Sequence, residues 1–207
     1  MYDEQTKIEQ QWCVKQFATH KATLIQDTDR YFAADWRRSD GSGDYYANFI
    51  VDKKRGSLII SGDLGDCIAT WYNELTPAKL CGFIRHDVGY FISKFQASSD
   101  KYVYDEDDVL ADIKEYFREY DYEVNSGLDY ASKEEFWELV SDEVNNSCDC
   151  NSFHPTERLI ELIKEYDYWQ WLYYCGKRIH KRVYLWVYAF EKTLKQLGYI
   201  EGNEKPV

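Results

Sequence analysis

Apolar positions change their period twice along this chain. From Glu4 to His20 they fall at helical spacing, with Ile8, Trp12, Val14 and Phe17 making a short amphipathic helix. From Lys21 the residues turn β-branched and aromatic. Runs at Ala22–Ile25, Arg30–Arg37, Tyr45–Val51, Ser57–Gly62 and Asp66–Tyr72 read as strand material. Asp40-Gly41-Ser42-Gly43-Asp44 and Lys53-Lys54-Arg55-Gly56 are turn signals between them. Short turns join antiparallel strands, whereas parallel strands need longer crossovers, so the expectation is a small antiparallel sheet of three or four strands.

Beyond Asn73 the period is helical and stays so. Thr76-Pro77 supplies a cap and a first-turn proline, and Leu80, Phe83, Ile84, Val88, Phe91, Ile92 and Phe95 predict one helix to about residue 95. Tyr104–Tyr120 sets Val109, Leu110, Ile113, Tyr116 and Phe117 against a dense row of carboxylates. Ser132-Lys133-Glu134-Glu135 is a capping box ahead of Phe136, Trp137, Leu139, Val140 and Val144. His154-Pro155-Thr156 opens a helix carrying Leu159, Ile160, Leu162 and Ile163, and a last helix from about Ile179 to Leu197 stops at Gly198. No linker interrupts this order. One α+β domain over residues 1–207 is expected: a helix and antiparallel meander in 1–73, packed by a bundle of helices from 74–207.

Charge sharpens this division. The 207 residues carry a net charge of −12, with 37 acidic and 25 basic side chains. Residues 1–99 hold 13 acids and 12 bases, residues 100–170 hold 21 and 6, and residues 171–207 hold 3 and 7. The negative charge is therefore regional. Such a block repels phosphate backbones and attracts cationic clefts, which argues against direct nucleic-acid binding through the middle region. No apolar run reaches membrane-spanning length, and Met1-Tyr2-Asp3-Glu4 is not a signal peptide, so a cytoplasmic protein is expected. Aromatic residues make up 17%, ample for a core.

Candidate chemistry is sparse. Gly62-Asp63-Leu64-Gly65-Asp66 lacks the spacing of a phosphate loop and reads as a turn. Asp105, Glu106, Asp107 and Asp108 fan out by about 100° per residue on a helix start, so they cap the helix rather than converge on a metal. Cys148, Cys150 and His154 put three soft ligands within seven positions, short of the four that a tetrahedral zinc site takes. No nucleophile elbow or paired histidine appears, and His86 reads as a structural histidine. No cofactor and no enzymatic activity are expected. Trp169 and Trp171 lie in an aromatic run that cannot face the core entirely, beside Arg178 and other cations. That basic segment is expected to pair with the acidic helices of the same molecule or of a second copy in a homodimer.

The segment Ser61-Gly62-Asp63-Leu64-Gly65-Asp66-Cys67-Ile68-Ala69-Thr70-Trp71-Tyr72, with Phe83-Ile84-Arg85 and the Tyr- and Trp-rich terminal helices, resembles proteins encoded by phages and mobile elements of gut Firmicutes. The resemblance carries no catalytic residue. It implies that this chain, like other small acidic proteins of such elements, inhibits a host defence, anti-CRISPR proteins among them. The residues expected to contact a basic cleft in a CRISPR effector nuclease are Asp105, Glu106, Asp107, Asp108, Asp112, Glu115 and Glu119. The alternatives are a protein that sequesters a nucleotide signal through Trp169, Trp171 and Arg178, and a metal-dependent hydrolase.

Overall fold

The computed structural model describes residues 11–124, 130–149, 151–164 and 169–201. The chain divides into two compact units, one formed by Met1–Lys101 with His180–Val207 and the other by Tyr102–Ile179. The helical half of the sequence is thus shared between them.

The first unit is built on one antiparallel sheet of six strands in the order β1-β2-β3-β4-β5-β6. These are β1 (His20–Asp27), β2 (Tyr31–Arg38), β3 (Ala47–Asp52), β4 (Ser57–Gly62), β5 (Cys67–Thr70) and β6 (Phe95–Ser98). Alternation decides which face is dry. Phe32, Ala34, Trp36, Phe49, Val51, Leu58, Ile60 and Ala69 are buried on one side. Each large member contributes about 2–3 kcal/mol by leaving water. Helices α1 (Pro77–His86), α2 (Val88–Ser93) and α6 (Lys181–Gln196) supply the apolar partners of this unit, among them Leu80, Ile84, Phe91, Trp186 and Phe190. Residues 11–16 are helical and end on Phe17, whose ring meets Trp36 edge to face at 5.7 Å. The rest of the expected N-terminal helix, residues 1–10, lies outside the described residues.

Two sequence expectations need correction. The sheet has six strands, not three or four, because β1 and β2 both join it and a sixth strand comes from a segment with helical apolar spacing. The helix expected from Thr76 to residue 95 is broken at Asp87, which adopts extended backbone (φ −148°, ψ 106°). The Asp87 carboxylate accepts the Tyr90 amide at 2.8 Å, so one residue ends α1 and caps α2. Phe95 then enters β6 and packs edge to face on Phe91 at 4.7 Å. The apolar period runs through the break, so periodicity alone does not reveal it. His86 is exposed in the last turn of α1, where a basic side chain complements the helix dipole, rather than being a core histidine. Gly62–Gly65 is a turn, as its composition predicts, closed by the Gly65 amide on the Gly62 carbonyl at 3.0 Å.

The second unit opens and closes on a short antiparallel pair, β7 (Tyr102–Val103) with β8 (Arg178–Ile179). Between them run α3 (Glu106–Glu119), α4 (Lys133–Ser147), α5 (Glu157–Lys164) and a 3-10 turn at Trp169–Tyr174. Their apolar stripes meet in one core made by Val109, Ile113 and Phe117 of α3, Phe136, Val140 and Val144 of α4, Leu159, Leu162 and Ile163 of α5, and Leu172. The caps are those the sequence shows. Ser132 Oγ accepts the Glu135 amide at 3.2 Å while Glu135 reaches back to the Ala131 amide, and Thr156 Oγ1 accepts the Leu159 amide at 3.0 Å.

Candidate functional site

The whole negative excess of the protein belongs to the second unit. Residues 102–179 carry 20 acidic and 7 basic side chains, net −13, and the remaining residues carry 17 and 18, net +1. The seven sequence-predicted acidic residues all belong to α3 or its cap, but they do different things.

Asp105 is the N-cap, its carboxylate accepting the Asp107 and Asp108 amides at 3.0 and 3.4 Å. Glu106, Asp107 and Asp108 fill the first turn, where each carboxylate stabilises the positive end of the helix by about 0.3–1 kcal/mol. One turn on, Asp112 accepts two bonds from the Arg178 guanidinium, at 2.7 and 2.9 Å, and a third from the Gly176 amide at 2.8 Å. Arg178 also reaches Asp108 at 3.4 Å. Burial works to raise the Asp112 carboxyl, but the bonds from Arg178 and Gly176 outweigh it and hold the group below its ordinary range. Donating to the Asp112 carboxylate in turn raises Arg178. The loop can approach because Gly176 sits at φ +67°, where an added Cβ would lie 2.2 Å from Val109 Cγ2. Glu115 pairs with Arg118 at 3.0 Å, but both are widely exposed and the pair adds little.

The acidic surface free of cation partners among the described residues is therefore a different set from the one the sequence nominates. From α3 it keeps Glu106, Asp107 and Glu119, and from α4 it gains Glu134, Glu138 and Asp142, all exposed. The α4 residues recur every fourth position, about 6 Å of helix axis per step.

The described part of the aromatic run forms the 3-10 turn Trp169–Tyr174. Leu172 faces the core, and the Trp171 ring stacks on Tyr116 with centroids 3.8 Å apart and planes within 13°. Trp169 lies 5.7 Å from Tyr173. Arg178, the basic member of the same sequence-predicted set, is engaged by Asp112 and Asp108. Among the described residues the exposed aromatic members of the run are Tyr173 and Tyr174. Lys177 lies over the Tyr102 ring at 4.1 Å, and His180 caps α6 by accepting the Arg182 amide at 3.0 Å.

Of the possible soft-metal ligands, Cys150 lies outside the described residues. Burial first, then the charges of Glu106, Asp105 and Asp149, push the Cys148 thiol up, away from the thiolate that a metal takes. Among the described residues no group of three His, Cys, Asp or Glu side chains is placed to hold a metal ion. No helix among them is long and apolar enough to cross a membrane.

Sequence reasoning passed over a cleft on this unit lined by Lys114, Arg118 and Lys133 around Trp137. The available signal was the pair Lys114 and Arg118, two cations four residues apart within a strongly acidic segment.

Residues 37–196, spanning most of the sheet and the whole acidic unit, match the model of a phage family, Phage_phiTE_072, and the chain belongs to that family. No curated protein and no solved structure matches it.

Proposed function

We propose that this phage protein is a non-enzymatic inhibitor of a host defence. Its acidic helical unit occupies a basic nucleic-acid-binding cleft in a protein partner, with a CRISPR effector nuclease as the expected case. The observation that carries this reading is the segregation of charge, net −13 within residues 102–179 against +1 in all the rest. A unit so charged steers toward a cationic channel, and its carboxylates form charge-assisted hydrogen bonds with the arginines that otherwise hold phosphate.

The contact falls to Glu106, Asp107, Glu119, Glu134, Glu138 and Asp142, which are exposed and hold no cation of their own among the described residues. Asp105, Asp108 and Asp112 serve the fold through the α3 cap and the Arg178 clamp, so their reversal would confuse loss of contact with loss of structure. The test is therefore reversal of Asp107, Glu134, Glu138 and Asp142 to Lys, read as inhibition of nuclease cleavage and as capture of the nuclease from host extract. Both should be abolished while circular dichroism is unchanged. Inhibition that survives the four reversals refutes the reading.

A further inference from the structure

Three of the seven cations in the second unit gather at one place. Lys114 and Arg118 of α3 and Lys133 of α4 line an open cleft of about 300 Å³ floored by Phe117 and Trp137, with Asp121 at its edge. Phe117 is buried, and the two rings meet edge to face at 5.3 Å. The Lys114 ammonium stands 5.7 Å from the centre of the Trp137 ring. Neither Lys114 nor Lys133 has a carboxylate within ion-pair distance among the described residues, although acids outnumber bases 20 to 7 in this unit.

Three of these four charged groups are placed against the local electrostatics; Arg118, in the last turn of α3 and paired with Glu115, is not. Lys114 and Arg118 stand at a four-residue spacing that sets like charges side by side on a helix. Lys133 is the first residue of α4, where the helix dipole already presents positive charge. Asp121 follows the C-terminus of α3, where that dipole is negative, and holds left-handed backbone (φ 54°) at a position glycine usually fills. Three choices unfavourable to the free protein, Lys114, Lys133 and Asp121, meet Arg118 at one cavity with an aromatic floor. Local rules broken together in this way mark a site whose ligand restores the balance.

We propose that the cleft binds a nucleoside phosphate. The three cations surround the phosphate, the half-buried Trp137 ring supports the base, and Asp121 accepts hydrogen bonds from sugar hydroxyls or a base amino group. The cavity volume lies at the small end of ligand sites, which suits one nucleotide rather than a strand, and base stacking on an aromatic ring is the recurring mode for such ligands.

The experiment is titration calorimetry of the whole chain with AMP, GMP, CMP and UMP, beside adenosine and inorganic phosphate alone. At least one monophosphate should bind about tenfold or more tighter than adenosine or phosphate. The double variant K114E/K133E should weaken that binding by about tenfold or more, whereas K164E, which removes an exposed cation outside the cleft, should change it by less than about threefold. Lys133→Glu should meanwhile raise the melting temperature, because it restores a favourable charge to the start of α4, so lost binding is separable from lost folding. The proposal is overturned if no nucleotide binds at about 5 mM, if adenosine binds as well as AMP, or if K164E costs as much as the double variant.

Discussion

Replacing Arg178 with Met removes the clamp on Asp112 while keeping much of the side-chain volume. The wild-type pair makes two charge-assisted bonds, at 2.7 and 2.9 Å, with Asp112 29% and Arg178 42% exposed. A charge-assisted bond contributes about 1.5–3 kcal/mol when sheltered, and a fully exposed ion pair only about 0.2–1 kcal/mol. A partly screened bidentate pair falls between these limits, so Arg178→Met should destabilise the acidic unit by about 1.5–2 kcal/mol at pH 7. The pH dependence has a definite sign. The Asp112 carboxyl is depressed in the folded state, so its contribution is full above the ordinary carboxylate value of about 4 and disappears as pH falls through the depressed folded value. The gap between wild type and variant should accordingly close on acidification. Urea unfolding at a series of pH values measures it, and amide exchange over residues 175–179 reports the loop held by the Gly176 bond. A negligible penalty at pH 7, or one that does not shrink on acidification of the still-folded protein, would refute the assignment of Arg178 and Asp112 as a stabilising pair.

Three further outcomes follow from the same geometry. Gly176→Ala should cost at least about 2 kcal/mol, since the left-handed backbone is strained for alanine and the new methyl meets Val109; an unchanged thermal melt contradicts this. Asp121→Gly should stabilise by about 0.5–1 kcal/mol, because the Asp121 and Tyr122 amides already close the α3 terminus on the Arg118 and Phe117 carbonyls around a left-handed residue; a lower melting temperature is the opposing result. Burial pushes the thiols of Cys67, Cys81 and Cys175 up to about 12, so all three should resist iodoacetamide at pH 8 until the chain unfolds, and fast alkylation of the native protein, located by mass spectrometry, would show those sites to be open.

What could be seen in the sequence was whatever is encoded within a few residues. Thr76-Pro77, Ser132 with Glu135, and Thr156 each start a helix where their side-chain chemistry says they should, and Asp105 caps α3 as its position in the acidic run implies. Asp87 escaped because the same carboxylate is compatible with an exposed helical position and with a cap, and the apolar spacing on either side continues without a skip. The sixth strand was hidden for the same reason, since Phe95 fits the helical period and only its pairing with β5 makes it a strand. The Arg178 clamp joins residues 66 apart, and no local pattern records that distance. The aromatic run shows in the sequence that not all of its members can face the core, but not which do; in the 3-10 turn Leu172 takes the core and Trp171 settles on Tyr116. The cations at the cleft were legible one by one, but summing charge over a whole region concealed that three of them meet.

The central claim is that the acidic unit stands in for nucleic acid. Its most direct test is competition on a purified CRISPR effector nuclease carrying labelled DNA, with the phage protein titrated in at low and at physiological salt. The account predicts stoichiometric displacement of the DNA, weakening as salt screens the carboxylates and absent for the four-Lys variant. A stable ternary complex in which DNA and the phage protein are bound together would contradict it.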